Sequence, residues 1–220
     1  MKAHPYLTQK AIQWQAIEPL GCSIKRITLA RFNSEGNPIV PWKGDAIFRP
    51  LFLIATKEHC GYERILSELV QRNPDEKPKN KLVTKGAKTA GSCTPIGFDL
   101  ADLAILTGKL IVCAGLADGY RLHQATGLPV ACGVGELNIP GNIKAIRKLN
   151  PTLNLIAAAD NDNAGKSACQ KSSCSWTCPQ TAKDWSDVYQ ESGSDAVLAE
   201  FEDGITPPIK PDSETAERFN

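Results

Sequence analysis

The clearest rhythm in the chain begins near residue 107, where short apolar runs alternate with stretches whose apolar positions recur three or four residues apart. KLIVCAG is apolar and closed by glycine, which predicts a strand. LADGYRLHQATG comes next, with Leu116, Tyr120, Leu122 and His123 at near-helical spacing before Gly127 stops the pattern. LPVACGVG predicts a second strand, and IPGNIKAIRKLNP a helix carrying Ile143, Ile146 and Leu149, ended by Asn150-Pro151. LNLIAAAD predicts a third strand, NAGKSACQKSSCSW another helix and DWSDVYQESG a short last one. Strands alternating with helices of this length predict right-handed crossovers and a parallel sheet covered on both faces. The expected class is therefore α/β, with chemistry at the carboxyl ends of the strands.

Before residue 107 the pattern differs. RITLARFN, PIVPW, AIFRPLFLIAT and ERILSELVQR read as β-rich or mixed segments, separated by turn signals at Ser34-Glu35-Gly36-Asn37-Pro38 and Lys43-Gly44-Asp45. The expected organisation is an α+β N-terminal portion over 1–106, an α/β domain over 107–194 and a flexible tail over 195–220. Within the first portion, a basic loop over 77–91 carries Lys77, Lys79, Lys81, Lys85 and Lys88, and reads either as a solvated loop or as a phosphate-contacting strip. Pro207, Pro208 and Pro211 with few large apolar neighbours motivate the tail.

Composition narrows the picture only a little. With 42% hydrophobic and 22% charged residues over 220 positions, the chain can bury an ordinary core. Lys and Arg number 25 against 24 Asp and Glu, so any electrostatic footprint is local. No apolar stretch approaches the roughly 20 residues that cross a bilayer, and a cytoplasmic protein with no membrane partner is expected. The eight cysteines then read as reduced thiols, with Cys113 and Cys132 in apolar runs as small core residues. Cys169, Cys174 and Cys178 lack the paired CxxC spacing and a nearby histidine, so zinc is not expected there. The four tryptophans, Trp14, Trp42, Trp176 and Trp185, read as core residues, with base stacking as the other use open to them.

The stretch AAADNDNAGKSA over 157–168 holds the candidate chemistry. Gly165-Lys166-Ser167 imitates the end of a nucleotide-cradling loop, yet the position five residues before Gly165, where that loop needs glycine, is Asp160. A carboxylate there repels phosphate, and the loop reading fails. Asp160 and Asp162 instead leave the third strand at its carboxyl end, either as ligands for magnesium or as caps of the next helix. Asp184 and Asp187 form a second acidic cluster, reading either as outer ligands at the same sheet edge or as helix-start residues.

In joint order, CAGLADGYRLHQATGLPV, AAADNDNAGKSA and CPQTAKDWSDVYQESG resemble the Toprim domain shared by bacterial-type primases, type IA and type II topoisomerases and some nucleases. The resemblance runs from Lys109 to Gly193 and is closest to the version in plasmid TraC-type and satellite-phage DNA primases. HPYLTQKAI and KLVTKGAKTAGSCTPIG also resemble the region those primases place ahead of the domain. It implies a primase-related activity, RNA primer synthesis on single-stranded DNA by metal-dependent nucleotidyl transfer. It further implies Mg2+ or Mn2+ held by Asp160 and Asp162 with support from Asp184 or Asp187, and contacts to template or triphosphate from Lys81, Lys85 and Lys88. The implied partners are single-stranded DNA, NTPs and a helicase or other replication protein.

One departure stands against these agreements. The family's glutamate at the end of the first strand falls on Ala114, and a methyl group neither transfers a proton nor binds a metal. After the next strand, where related primases often place an aspartate, the chain has Gly133. Asp118 and Glu136 are the nearby carboxylates that can act as surrogate acids, or else are a helix-start acid and an exposed loop residue. Two other readings therefore stay open: a degenerate Toprim module that binds DNA or a replication partner without turnover, and a Toprim metal nuclease. The absence of room for zinc-binding and helicase domains adds to the case for the former.

Overall fold

The computed structural model describes residues 4–208 and divides the chain into two compact units, Met1–Thr94 and Pro95–Asn220. The expected division at 106/107 moves upstream because the segment around Leu103 belongs with the second unit. Leu103 is buried, and the side-chain amide of Asn150 donates to the carbonyls of Leu103 at 3.0 Å and Leu106 at 2.8 Å.

The N-terminal unit opens with α1 (Pro5–Gln9) and α2 (Trp14–Ile17), then β1 (Ser23–Phe32), β2 (Pro38–Leu53), β3 (His59–Val70), β4 (Lys79–Val83) and β5 (Ser92–Ile96). β2 pairs antiparallel with β1, β3 and β5, and β3 pairs antiparallel with β4. Leu29, Ala46, Leu66 and Val70 form a core cluster, with Ile27, Trp42, Phe48 and Leu82 packed on it.

Two expectations are corrected here. Lys43-Gly44-Asp45 is no turn, because β2 runs through it in register with β1, Ile27 opposite Gly44. The glycine is there because the Trp42 indole lies against its backbone, where a Cβ would overlap the ring. The basic loop is likewise interrupted, since Lys79–Val83 alternates well enough to add β4 to the edge of β3, with Lys81 opposite Ile65.

The second unit holds β6 (Lys109–Ala114), α3 (Leu116–Thr126), β7 (Val130–Gly133), α4 (Ile139–Leu149), β8 (Asn154–Ala158), α5 (Asn163–Gln170), β9 (Ser175–Thr177) and α6 (Trp185–Asp203). Its strands are all parallel, in the order β7-β6-β8-β9. β6 is central, and Leu110 through Cys113 are wholly buried, as apolar runs covered on both faces require. This is the α/β, Toprim-like parallel sheet flanked by helices.

The helix expected over 163–176 stops early. Ser173, with φ of 52°, turns the chain so that Ser175–Thr177 becomes β9 beside β8. The last helix runs further than expected, through Asp203, after a break at Gly193 whose φ of 83° suits glycine. Val197 and Phe201 are buried, and the Phe201 ring meets Trp185 edge-on at 6.1 Å. Residues 195–203 therefore belong to the folded unit; the expected tail beyond residue 208 lies outside the described residues.

The most demanding packing in the N-terminal unit is a buried ion pair. Arg49 and Glu63 face each other across β2 and β3, with Nε and Nη2 both 2.9 Å from Oε2 and side-chain exposures of 0% and 3%. Arg49 Nη1 also donates to Thr94 Oγ1 at 3.2 Å, and that hydroxyl donates to the Pro50 carbonyl at 2.5 Å. Glu63→Ala would leave the guanidinium buried without its counter-charge and is expected to cost about 3–5 kcal/mol. Denaturant unfolding of the full chain checks this, and a loss below about 1 kcal/mol would show that the pair contributes little.

Candidate functional site

The carboxyl ends of β6, β7 and β8 lie side by side, and the loops leaving β7 and β8 carry the site. Ala114 and Gly133 are register partners at the ends of β6 and β7, so the loop leaving β7 starts beside the end of β6. Three residues past Gly133, the short 3-10 helix Glu136–Asn138 turns Glu136 inward. From β8 the chain passes through Asp160 and Asp162 into α5, and oxygens of Glu136, Asp160 and Asp162 lie within 4.8 Å of one another. Among the described residues this is the one group of three or more acidic, cysteine or histidine side chains with metal-holding geometry.

Backbone groups and a glycine keep Glu136 in place. Its Oε1 accepts the Asp160 backbone N–H at 2.6 Å, leaving its other oxygen for a ligand. Gly165, the glycine that imitated a nucleotide loop, serves this approach. A Cβ there would stand 2.6 Å from Glu136 Oε1 and 2.5 Å from the Asp160 carbonyl oxygen. Asp162 caps α5, with Oδ1 accepting the Gly165 N–H at 2.9 Å. Capping employs one of its oxygens, so the cap and ligand readings of Asp162 are compatible.

The remaining acidic residues sit around this group. Asp184 caps α6 through the Asp187 N–H at 2.8 Å, and its charge acts on Asp160. Asp118, only 8% exposed on α3, accepts the Ser186 N–H at 3.0 Å and so ties α3 to the start of α6. Arg121, one turn further on α3, lays its guanidinium 3.5 Å from the centre of the Tyr189 ring. Asp118 therefore has a positioning place, while Glu136 is half-buried among the aspartates rather than exposed on a loop. Asp187 lies outside the group of three. Lys81, Lys85 and Lys88 are exposed in the other unit; Lys81 Nζ stands 5.8 Å from the Tyr6 ring centre, and the turn after β4 uses Gly86 with φ of 83°.

The electrostatics of the group point toward a cation. Burial, then the charges of Glu136, Asp184 and Asp162, push the Asp160 carboxyl up to about 6, with Lys183 opposing them. Burial is also the main cause raising Glu136, partly offset by the Asp160 N–H and joined by Asp162 and Asp118. Converging carboxylates that resist ionising together match the oxygen donors that magnesium and manganese take. Lys183 escaped the sequence reading, although it adjoins Asp184, and its carbonyl accepts the Asn161 N–H at 2.8 Å. The three cysteines fit metal less well: burial pushes Cys169 up to about 12 and also raises Cys174 and Cys178, keeping the thiols protonated at neutral pH. Of the tryptophans, Trp185 is fully buried and Trp42 packs on the N-terminal core.

No protein-family model matches the sequence. Solved structures do. A DNA primase domain from Pseudomonas aeruginosa superposes with a TM-score of 0.61 at 16% identity, covering 99% of this chain and 76% of that one. The RNA polymerase domain of Mycobacterium tuberculosis primase DnaG, in complex with double-stranded DNA, gives 0.60 at 20% identity over 93% of this chain and 73% of that one. The fold is that of a DnaG-type primase catalytic core. A chain from the bacteriophage T7 assembly of lagging-strand DNA polymerase with primase domains of two gp4 subunits, bound to an RNA/DNA hybrid and dTTP, gives 0.61 at 14% identity and 91% of each chain.

This geometry has two measurable outcomes. Because the Asp160 pKa is raised on folding, the metal-free protein loses stability as pH rises from about 4 to about 6. Asp160→Asn is expected to gain about 1–2 kcal/mol at pH 7.5 without metal, none at pH 4, and to lose most of the stabilisation that manganese gives the wild type. Thermal melts at both pH values, with and without manganese, measure this; an Asn variant less stable at pH 7.5 contradicts it. Gly165→Ala is expected to displace Glu136 and weaken manganese affinity about 10–100-fold, read by calorimetry. Unchanged affinity would remove Gly165 from the site.

Proposed function

We propose that this chain is a primase-type nucleotidyltransferase whose site is completed by Glu136 in place of the absent carboxylate at Ala114. The observation that carries the proposal is the convergence of Glu136 with Asp160 and Asp162, from the strand end adjacent to Ala114. Supporting it are the likeness to primase catalytic cores and the ligands of two of the similar structures, double-stranded DNA in one and an RNA/DNA hybrid with dTTP in the other. The substrates are NTPs and a single-stranded DNA template, and the product is a short RNA primer.

In this reading Glu136, Asp160 and Asp162 hold Mg2+ or Mn2+, which neutralises phosphate charge and acidifies the attacking 3′-hydroxyl when bound. Asp184 caps α6 and adds a negative charge that opposes ionisation of Asp160 and favours a cation beside it, Asp187 starts the same helix, and Asp118 holds α6 against α3. Glu136 Oε1 stays on the Asp160 backbone N–H, and its other oxygen is the one that would face the metal. Lys81, Lys85 and Lys88 contact template or triphosphate from the N-terminal unit. A helicase or other replication protein is the expected partner. The rival reading, a binding module without turnover, draws on Ala114 itself.

The test is incorporation of labelled NTPs on single-stranded DNA with magnesium and then manganese. The wild type is expected to make primers, Glu136→Gln to lose about 10²-fold or more in kcat, and Ala114→Glu in the Glu136→Gln background to recover part of it. Activity in wild type unaffected by Glu136→Gln would remove Glu136 from catalysis. Activity only in Ala114→Glu would favour the binding module.

A further inference from the structure

Within the second unit, a run of basic residues lies apart from the carboxylates. Between Leu137 and Lys183 the only acidic residues are Asp160 and Asp162, while Lys144, Arg147, Lys148, Lys166, Lys171 and Lys183 are all basic. Four of these cations gather on one surface. A groove of about 460 Å³ runs along α4 from Pro140 to Lys148 and is closed by Lys171, Ser172 and Ser173 after α5. Lys144, Arg147, Lys148 and Lys171 line it, all of them exposed, and no acidic side chain does.

The local structure explains the arrangement. Ile143 and Ile146 face the sheet, which leaves the 144, 147 and 148 positions along the outer edge of α4, neighbours separated by about 5–6 Å. Arg147 is fixed across the groove, with Nη2 donating to the Ser173 carbonyl at 3.0 Å, and Ser173 takes its left-handed conformation at that point. α5 begins beside Asp162 and ends at this groove, roughly 12 Å further along its axis. The groove therefore lies apart from the metal-holding group, and nothing in the proposed nucleotidyl transfer uses it.

We propose that this groove is a second nucleic-acid contact, a track for the phosphodiester backbone of single-stranded DNA. A row of cations in a concave channel suits a linear polyanion with regularly repeating charge better than it suits a flat anionic surface. The lining holds four cationic side chains and no aromatic ring on which a base could stack, so recognition is of backbone rather than base. In a chain of net charge +1, this local field is what supplies electrostatic attraction at this face. The inference rests on the primase reading for the identity of the strand, though not for the groove itself.

The test is binding of a fluorescent oligothymidylate of roughly 20 nucleotides, by anisotropy across a salt series, to the full chain. The triple variant Lys144→Gln, Lys148→Gln, Lys171→Gln is expected to bind about tenfold or more weakly at low salt. Its slope of log affinity against log salt should be shallower by about 2, three lost phosphate contacts for a single strand. Substituting arginine at the same three positions is expected to keep both values, and manganese affinity is expected to stay at the wild-type level in both variants. Oligothymidylate binding with an unchanged slope in the glutamine variant would overturn the groove and leave the primase reading standing. Loss of manganese binding in the glutamine variant would overturn the separation of the two sites. Equal competition by a polyglutamate peptide of matched charge would assign the groove to an acidic protein instead. Absence of oligothymidylate binding by the wild type would overturn both the groove and the template-binding part of the reading.

Discussion

The site depends on holding carboxylates together where they repel one another. One hydrogen bond does most of this, from the Asp160 backbone N–H to Glu136 Oε1, and it is reachable only because Gly165 presents no Cβ to the approaching carboxylate. Burial first, and the neighbouring negative charges second, raise the proton affinities of Asp160 and Glu136. A divalent cation would offset both. Caps at Asp162 and Asp184 fix α5 and α6, so the same side chains that start these helices also set the field around Asp160.

The parallel sheet supplies the frame. β6, β7 and β8 end at one edge, and a carboxylate missing from one strand end can be replaced from the next because adjacent ends lie only one strand spacing apart. Ala114 and Gly133 are such neighbours, and Glu136 stands three residues after Gly133. In the proposed reading this moves a carboxylate between strands while keeping the layout of the edge. α3 is covered by α6, while the outer edge of α4 is exposed and basic.

Much of this architecture is legible in the sequence. Apolar runs without alternation mark strands buried on both faces, and the succession from β6 to α5 keeps the expected order. Local signals mislead where a residue answers to a distant neighbour. Gly44 reads as a turn but makes room for the Trp42 ring, and Gly165 reads as part of a phosphate loop but makes room for Glu136. Ser175–Thr177 is too short to show a period, and becomes a strand only because the edge of β8 is open to it. Glu136 stands in the sequence as one of two surrogates; nothing local separates it from Asp118, because the distinction lies in which backbone N–H each carboxylate meets.

The central claim is that Glu136, Asp160 and Asp162 share one cation. The most direct measurement is an anomalous difference map from a crystal of the full chain soaked in manganese. A single strong peak bonded to oxygens of all three side chains, at about 2.0–2.3 Å, is the expected result. A peak held by Asp160 and Asp162 with Glu136 turned away, or no peak at this edge of the sheet, would contradict it.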